Sequence, residues 1–130
     1  MVRKIKKLPD GEFELMQTLW ECEDNHQDGD YISRTEIEER ISMMHKMAQT
    51  TLLTVLTRLA EKGFIEIQKQ GRVSMYKSLI KKNEYLSSQS NDFISRLCGG
   101  NLSVFAAALC DSGLSEDDIE ELRKLLKEVR

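Results

Sequence analysis

The spacing of apolar residues changes from a helical to a strand period at Gly63, and this change constrains the fold more than any other feature. Before Gly63, apolar side chains recur at i, i+3, i+4 and i+7, which predicts a helix from about 48 to 62. Its core-facing stripe consists of Leu52, Val55, Leu56 and Leu59. After Gly63, the alternating runs 64–69 and 73–78 flank Gln70-Gly71-Arg72, which predicts a β-hairpin with glycine in its turn. A helix therefore runs directly into a hairpin.

Two further helices precede this unit. The first begins with Asp10 as its N-cap, and acidic residues follow in the first turn, where the helix dipole favours anions. These acids are Glu12 and Glu14, and the apolar stripe of the helix consists of Phe13, Met16, Leu19 and Trp20. The second helix begins at a cap provided by Ser33 or Thr35, and residues 42–46 form the turn that follows it.

The order of these elements predicts a mainly α-helical chain with a small β-hairpin. Three helices followed directly by a hairpin form the order of a winged helix-turn-helix domain, which we place at residues 1–82. The alternative is a set of three helices beside an unrelated hairpin. The direct passage of the third helix into the hairpin favours the winged helix.

The pattern of apolar residues in 83–130 predicts a helical arm with three apolar faces. Gly99-Gly100-Asn101 separates the first helix from a short apolar helix at 102–110, and Ser115 and Asp118 form a capping box before the last helix. Three such faces cannot bury one another in so short a segment, so we expect a second copy of the chain as partner. The alternative is that they pack back onto the winged domain. The predicted dimerisation residues are Phe93, Leu97, Leu102, Phe105, Leu109, Ile119, Leu122 and Leu126.

The net charge of −3 conceals a basic segment in the middle of the chain. Residues 10–39 carry a net charge of −10 and residues 83–130 a net charge of −4, whereas residues 40–82 carry nine bases and two acids, a net charge of +7. Phosphates respond to a local basic surface and not to the total charge. A surface that merely faces solvent would show the same composition. The basic segment therefore indicates DNA binding only if a second, independent feature supports it.

That second feature is the outward face of the third helix, which is rich in threonine. In a helix-turn-helix the second helix of the pair enters the major groove. Exposed hydroxyl side chains stabilise a helix poorly, but they suit a face against DNA because they reach phosphate oxygens and base edges. A merely solvated helix is the alternative. Together with cations at the wing tip, which bind phosphate or the minor groove, the predicted DNA-binding residues are Lys46, Gln49, Thr50, Thr51, Thr54, Arg58, Lys69 and Arg72.

No catalytic or metal-binding constellation appears in the sequence. His26 and His45 form no ligand spacing with any cysteine. A P-loop, an H-E-x-x-H motif, a nucleophile elbow and a Gly-rich dinucleotide turn are all absent. We therefore predict that the chain is not an enzyme and that it needs neither a metal ion nor a cofactor.

The cysteines and the apolar runs bear on localisation. Cys22, Cys98 and Cys110 are an odd number without C-x-x-C spacing, which predicts reduced thiols packed in the core of a cytoplasmic protein. The longest apolar runs fall far short of the roughly 20 residues that span a bilayer, so we expect no membrane insertion. The basic N-terminus lacks the apolar region of a secretion signal.

Several segments together resemble the penicillinase repressor family. They are the Glu61-Lys62-Gly63-Phe64-Ile65 junction, the Gly71-Arg72 wing, Tyr76, and segments 12–20, 51–59 and 114–122. The resemblance implies a homodimer that binds a palindromic operator in double-stranded DNA through its winged helices. It implies repression of antibiotic-resistance genes of the β-lactamase type, relieved when a membrane sensor triggers proteolysis of the repressor. Carried over by position, the DNA contacts are Thr50, Thr51, Thr54, Arg58 and Arg72.

Three places depart from the pattern of that family. Leu53 occupies a position of the recognition helix where the family carries a polar or basic residue, so the operator sequence does not transfer. The inactivating cleavage of the family falls at an Asn-Phe bond, and the matching place here is Ala108-Leu109. Residues 126–130 lack the closely spaced cysteines of the copper-responsive branch, so copper sensing is not implied.

Two other functions are compatible with the same residues. One is a winged-helix module for protein–protein assembly, in which the basic segment meets an acidic partner. The other is a ligand-sensing regulator with a pocket between the domains, lined by the apolar stretch 102–110. The sequence leaves open the operator, the target genes, the inducing signal and the mode of release.

Overall fold

Six helices and three strands make up the part of the chain that the structure, a computed structural model, describes: residues 4–44 and 47–128. In chain order they are α1 (Asp10–Asp24), β1 (Ile32–Ser33), α2 (Arg34–Ser42), α3 (Gln49–Glu61), β2 (Ile65–Gln70), β3 (Val73–Ser78), α4 (Lys82–Leu97), α5 (Leu102–Asp111) and α6 (Glu116–Glu128). The chain divides into two compact units, Met1–Gln89 and Ser90–Arg130. The predicted mainly helical fold with a hairpin is confirmed.

The start of α1 differs from the prediction by one residue. Pro9, not Asp10, is the N-cap, and its carbonyl accepts the first helical hydrogen bond from the amide of Phe13 at 2.9 Å. Proline offers no side-chain acceptor, so the helix begins without a side-chain cap. The acids of the first turn are consequently Asp10 and Glu12, and Glu14 lies beyond it.

The helix-turn-helix pair consists of α2 and α3. Ser33 caps α2, because its Oγ accepts a hydrogen bond of 3.2 Å from the amide of Glu36, and this decides between the two predicted caps. Helix α3 ends at Glu61 with Lys62 as its C-cap, and Gly63 follows with a φ of +82°, which is the left-handed C′ residue that the sequence predicts. All four residues of the predicted stripe are buried: Leu52, Val55, Leu56 and Leu59.

The sheet has three strands, one more than the predicted hairpin. Its order is β1-β3-β2, and the extra strand β1 pairs with β3 through Ile32 opposite Tyr76 and Ser33 opposite Met75. The sequence gives no sign of β1, because two residues are too few to show a period. In the hairpin, Gln70 pairs with Val73, so only two residues form the loop. The first of them, Gly71, has a φ of +68°, a backbone conformation that glycine adopts without strain.

The core of the first unit reaches into α4. Tyr85 and Ser88 are buried, and Tyr85 stacks on Phe13 with ring centroids 5.4 Å apart. Trp20 packs against the same tyrosine and donates its indole N–H to the carbonyl of Ile80 at 3.0 Å. The first turns of α4 therefore complete the winged-helix unit, which explains why the division between the units falls after Gln89.

The second unit buries little of its own apolar surface. Asn101 caps α5, and Ser115 and Asp118 form the predicted reciprocal capping box at the start of α6, with both hydrogen bonds at 3.1 Å. Neither α5 nor α6 contributes a buried residue. The expectation that all three cysteines are packed in the core is wrong for Cys110, which is exposed because α5 is uncovered on that side, whereas Cys22 and Cys98 are buried.

The lengths and compositions of the helices bear on the expectation of no membrane insertion. Within the described residues, no single helix is both long and apolar enough to cross a membrane. Helices α4 and α5 satisfy the criteria of length and composition only when they are taken together across a sharp bend.

Candidate nucleic-acid interface

The outward surface of α3 gathers the residues that the sequence assigns to base reading. Because Leu52, Val55, Leu56 and Leu59 hold one side of α3 in the core, the opposite side faces solvent. The predicted contacts on it are all exposed: Gln49, Thr50, Thr51, Thr54 and Arg58. Lys46, the remaining predicted contact of this group, lies outside the described residues.

Two of the threonine hydroxyls of α3 are held by the helix backbone. Thr54 Oγ1 donates to the carbonyl of Thr50 at 2.9 Å, and Thr57 Oγ1 donates to the carbonyl of Leu53 at the same distance. A hydroxyl whose hydrogen is engaged in this way still has lone pairs that accept hydrogen bonds. In this arrangement the two threonines offer acceptors to base amino groups. Thr57 is not among the predicted contacts. The sequence feature that could have identified it is its position on the exposed face of α3.

The N-terminus of α3 lacks a side-chain cap. Its N-cap residue is Ala48, which cannot accept a hydrogen bond through its side chain, and its first turn contains no acid. The first amides of the helix are therefore open to an external acceptor, and the positive end of the helix dipole lies beside them. The sequence signal for this feature is an apolar N-cap in front of a threonine-rich turn.

The wing presents two cations at its tip. Lys69 lies near the end of β2 and Arg72 in the two-residue loop, and both are exposed. Neither side chain lies within ion-pair distance of a carboxylate among the described residues. The wing tip therefore carries a positive charge that no acid of the described chain offsets.

Other basic residues of the middle segment are engaged within the fold. Arg40 pairs with Glu21 at 3.0 Å, and Lys62 pairs with the buried carboxylate of Glu12. These pairs remove two charges from the predicted basic surface. Within the part of α3 and the hairpin that the structure describes, the cations without an acidic partner are Arg58, Lys69, Arg72 and Lys77, and the last of these lies over an aromatic ring.

At the base of the wing, side chains on the outer face of the sheet also have partners within the fold. The ammonium group of Lys77 lies 4.9 Å from the centre of the Tyr31 ring, and Tyr31 donates its hydroxyl to Glu66 at 2.7 Å. This hydrogen bond to the carboxylate raises the pKa of Tyr31 above its ordinary value of 10.0. Lys77 therefore packs on Tyr31 within the sheet, although it lies in the strand that follows the wing tip.

An acidic residue limits the DNA-facing part of α3. Glu61 is exposed and lines a shallow depression on the helix surface together with Thr54, Thr57 and Arg58. A carboxylate there would repel phosphate. The surface suited to DNA is therefore the N-terminal part of α3, up to Arg58.

The predicted dimerisation residues form two groups. Phe93 and Phe105 contact each other edge to face, with ring centroids 6.0 Å apart, so part of their surface is covered within the chain. Leu109 is half-buried. Phe93 is nevertheless exposed, as are the remaining predicted residues: Leu97, Leu102, Ile119, Leu122 and Leu126. Among the described residues, no group of histidine, cysteine and acidic side chains could hold a metal ion.

A helix-turn-helix pair with a hydroxyl-bearing exposed face, joined to a hairpin with free cations at its tip, defines a winged-helix DNA-binding protein. The model of the family described as penicillinase repressor matches residues 8–128, and the chain belongs to this family. The family consists of transcriptional repressors, so the predicted resemblance is confirmed, as is the prediction that the chain is not an enzyme.

Three known proteins illustrate the similarity. The methicillin resistance regulatory protein MecI of Mammaliicoccus sciuri is 30% identical over 127 residues, which cover 97% of this chain and 98% of that protein. The penicillinase repressor of Bacillus licheniformis is 30% identical over 128 residues, covering 98% and 94%. The solution structure of the DNA-binding domain of the repressor BlaI matches with a TM-score of 0.50 and 29% identity over 65% of this chain and 94% of that one.

Proposed function

We propose that the chain is a homodimeric repressor that binds a palindromic operator in double-stranded DNA. In this proposal, α3 enters the major groove and the wing contacts the backbone or the minor groove. The observation that carries it is the exposed face of α3, which combines hydroxyl groups and Arg58 with an uncapped helix N-terminus. The BlaI fragment of similar fold is the DNA-binding domain of a repressor, which supports the same role here.

The base-reading role belongs to the first turns of α3. Gln49 has the bidentate amide that suits adenine, and Thr50, Thr51 and Thr54 offer hydroxyl groups. The open amides next to Ala48 suit a phosphate oxygen, which would fix the helix in the groove. Arg58 supplies charge on the exposed face of α3, and Lys46, which lies outside the described residues, stays a proposed contact.

The wing supplies affinity more than discrimination. Lys69 and Arg72 are long cations on an exposed hairpin, and each phosphate that they neutralise releases counterions from DNA. Because the hairpin follows α3 directly through Gly63, the wing tip contacts DNA beside the groove that α3 occupies.

Within the predicted arm, residues 83–130, dimerisation is assigned to the part beyond the first unit, which ends at Gln89. Helix α5 is apolar except at Ser103 and Asp111, yet none of its residues is buried. A helix of this composition is stable in water only when other protein covers it. A second copy provides that cover and produces the two-fold symmetry that a palindromic operator requires.

The names of the relatives suggest the target genes. MecI is called a methicillin resistance regulatory protein, and the protein of Bacillus licheniformis a penicillinase repressor. We propose control of resistance genes of the same kind by a cytoplasmic repressor, with a membrane sensor or a protease acting upstream. The Ala108-Leu109 bond lies within α5, and the carbonyls of both residues accept hydrogen bonds from the amide of Ser112. A protease would therefore have to unwind this helix first.

Selection of bound duplexes from a random pool tests the proposal. Full-length protein is expected to enrich a palindrome whose half-sites are separated by roughly 34–36 Å or a multiple of that distance. Enrichment of a single, asymmetric half-site would contradict dimeric recognition. Absence of any enrichment at low salt would overturn DNA binding and favour a protein–protein assembly module.

The Thr54→Val variant then tests the role of α3. Valine keeps the shape of the side chain but removes the hydroxyl, so affinity for the selected operator is expected to fall about tenfold, while affinity for random duplex stays unchanged. Equal losses on both duplexes, or none, would remove Thr54 from the base-reading surface. Circular dichroism of the variant verifies that the fold is retained.

A further inference from the structure

A cleft of about 490 Å³ lies on the winged-helix unit, at the C-terminal end of α3. Its volume falls within the range of small-molecule sites. Buried apolar residues form its floor, and an unbroken run of basic and apolar residues from the N-terminus forms one wall. The residues that matter for its chemistry are Leu8, Phe64 and Ile80 on the floor and Lys4, Lys6 and Lys7 on the wall.

The N-terminal wall is fixed in place by hydrogen bonds to α4. The amide of Ile5 donates to Ser88 Oγ at 2.7 Å, and the carbonyl of Ile5 accepts from Gln89 Nε2 at 2.8 Å. The amide of Leu8 donates to the hydroxyl of Tyr85 at 2.9 Å. Because the side chains of Ile5 and Leu8 are buried, the segment cannot detach without exposing them. The cleft is therefore preformed.

The charge of the cleft is not balanced by the fold. Lys4, Lys6 and Lys7 are exposed, and no carboxylate among the described residues lies within ion-pair distance of any of them. The fourth lysine of the lining, Lys62, is already paired with Glu12. Three cations within four residues repel one another, and the apolar floor of the cleft strengthens their electric field. An anion in the cleft would relieve this repulsion.

These lysines are separate from the proposed DNA-binding surface. The 13 residues of α3 span ~20 Å, and the six residues of β2 span a similar length, so the cleft lies at the far end of both elements from their DNA-facing tips. At the C-terminal end of α3, the exposed carboxylate of Glu61 lies beside Thr57 and Arg58 and repels phosphate. A DNA backbone along α3 therefore does not account for the lysine cluster.

We propose that this cleft binds a small organic anion. Its apolar body packs on Phe64 and Ile80, and its single acidic group, a carboxylate, sulfonate or phosphate, pairs with the lysines of the N-terminal wall. The cleft adjoins the junction of α3 with β2 and the junction of β3 with α4, since the amides of Leu79 and Ile80 donate to the carbonyl of Phe64. The site stands independently of the proposed DNA-binding function.

Titration of the full-length, ¹⁵N-labelled protein with 8-anilino-1-naphthalenesulfonate tests this site, because the probe combines aromatic rings with one sulfonate. We expect saturable binding of one probe per chain, with amide shifts at residues 4–8, 62–64 and 80. Amide shifts confined to α5 and α6, whose apolar residues are exposed, would overturn the proposal.

Two comparisons make the test specific. The double variant Lys6→Gln/Lys7→Gln is expected to weaken binding about fivefold, since each exposed ion pair contributes up to about 1 kcal/mol. The control Lys124→Gln/Lys127→Gln changes two exposed lysines of α6 and is expected to leave binding unchanged. N-phenyl-1-naphthylamine, which lacks the sulfonate, is expected to bind more weakly at the same amides. Equal binding of both probes, or of both double variants, would show that the lysines do not recognise an anion.

Discussion

At the scale of single residues, the fold sorts the basic side chains into two kinds. Arg40 and Lys62 have acidic partners within the fold, whereas Arg58 and Arg72 have none among the described residues. The sequence could not separate these groups, since Arg40 and its partner Glu21 are far apart along the chain. Only the unpaired cations are available to phosphate without breaking an internal ion pair.

Replacement of Arg72 measures the contribution of the wing. We expect Arg72→Ala to weaken binding to operator and random duplex by the same factor and to reduce the slope of log K against log salt by about 1, because one phosphate contact is lost. Arg123→Ala, at an exposed position of α6, is the control and should preserve the slope. Unchanged affinity and salt slope for Arg72→Ala, measured by fluorescence anisotropy, would contradict the wing assignment.

Cys22 makes stability depend on alkaline pH. Burial first, and then the negative charge of Glu36, raise the pKa of the Cys22 thiol from 9.0 to about 11. Between these values the unfolded chain loses the thiol proton while the folded chain keeps it. The free energy of unfolding is therefore expected to fall as the pH rises from about 9 to about 11, with no contribution from this thiol at lower pH.

Urea unfolding at several pH values in this range tests the effect. Cys22→Ala is expected to lower stability throughout and to flatten the decline. The control Ile37→Val also removes buried volume but no titratable group, and should keep the decline of the parent protein. Identical pH slopes for the Cys22→Ala variant and the parent would exclude the thiol as their cause.

At the scale of elements, long periodic segments were predictable, whereas the two-residue strand β1 and the first residue of α1 were not. Helix α3 ends within one residue of the predicted end, because an amphipathic stripe and a following Gly63 act together. Strand β1 was missed because only its pairing with β3 makes it a strand. The start of α1 was misplaced because the carbonyl of Pro9 serves as the first acceptor, and this property belongs to the backbone and not to a side chain.

The uncapped N-terminus of α3 allows stability and DNA binding to be separated. We expect Ala48→Asp to raise the free energy of unfolding by about 1 kcal/mol, because aspartate caps the first amides, and to weaken DNA binding, because its charge occupies the place of a phosphate. Ala48→Ser supplies a neutral cap and is the matched control. Thermal unfolding and duplex binding are measured on both variants, and undiminished binding by Ala48→Asp would exclude a phosphate at this helix end.

At the scale of the whole molecule, the exposed apolar faces of α5 and α6 are the strongest sign of a partner. Leu126 is 64% exposed and Leu102 is 69% exposed. Covering a leucine contributes about 1.5–3 kcal/mol, so several such residues on each copy are sufficient to hold a dimer. The first unit, in contrast, buries its apolar stripes against its own helices and sheet.

Introducing a charge on α6 tests this interpretation. Leu126→Glu is expected to raise the dissociation constant of the dimer at least about tenfold, because it removes apolar contact and buries a carboxylate. Affinity for a palindrome should fall, while binding to a half-site and the near-ultraviolet circular dichroism of Trp20 should persist. Lys124→Glu places the same charge on the opposite side of α6 and should remain dimeric in sedimentation experiments. A dimeric Leu126→Glu protein would contradict the assignment of α6 to the interface.

The sequence by itself determined the order of helices and hairpin, the core stripe of α3 and the threonine face opposite to it. These features follow from local periodicity, because which side of a helix is apolar depends on neighbours a few residues away. Only the tertiary structure decided which cations have partners, which cysteines are buried and where the first unit ends. These properties depend on residues that are distant in the sequence, such as Glu12 beside Lys62 and Ile5 beside Ser88. No local pattern contains such contacts.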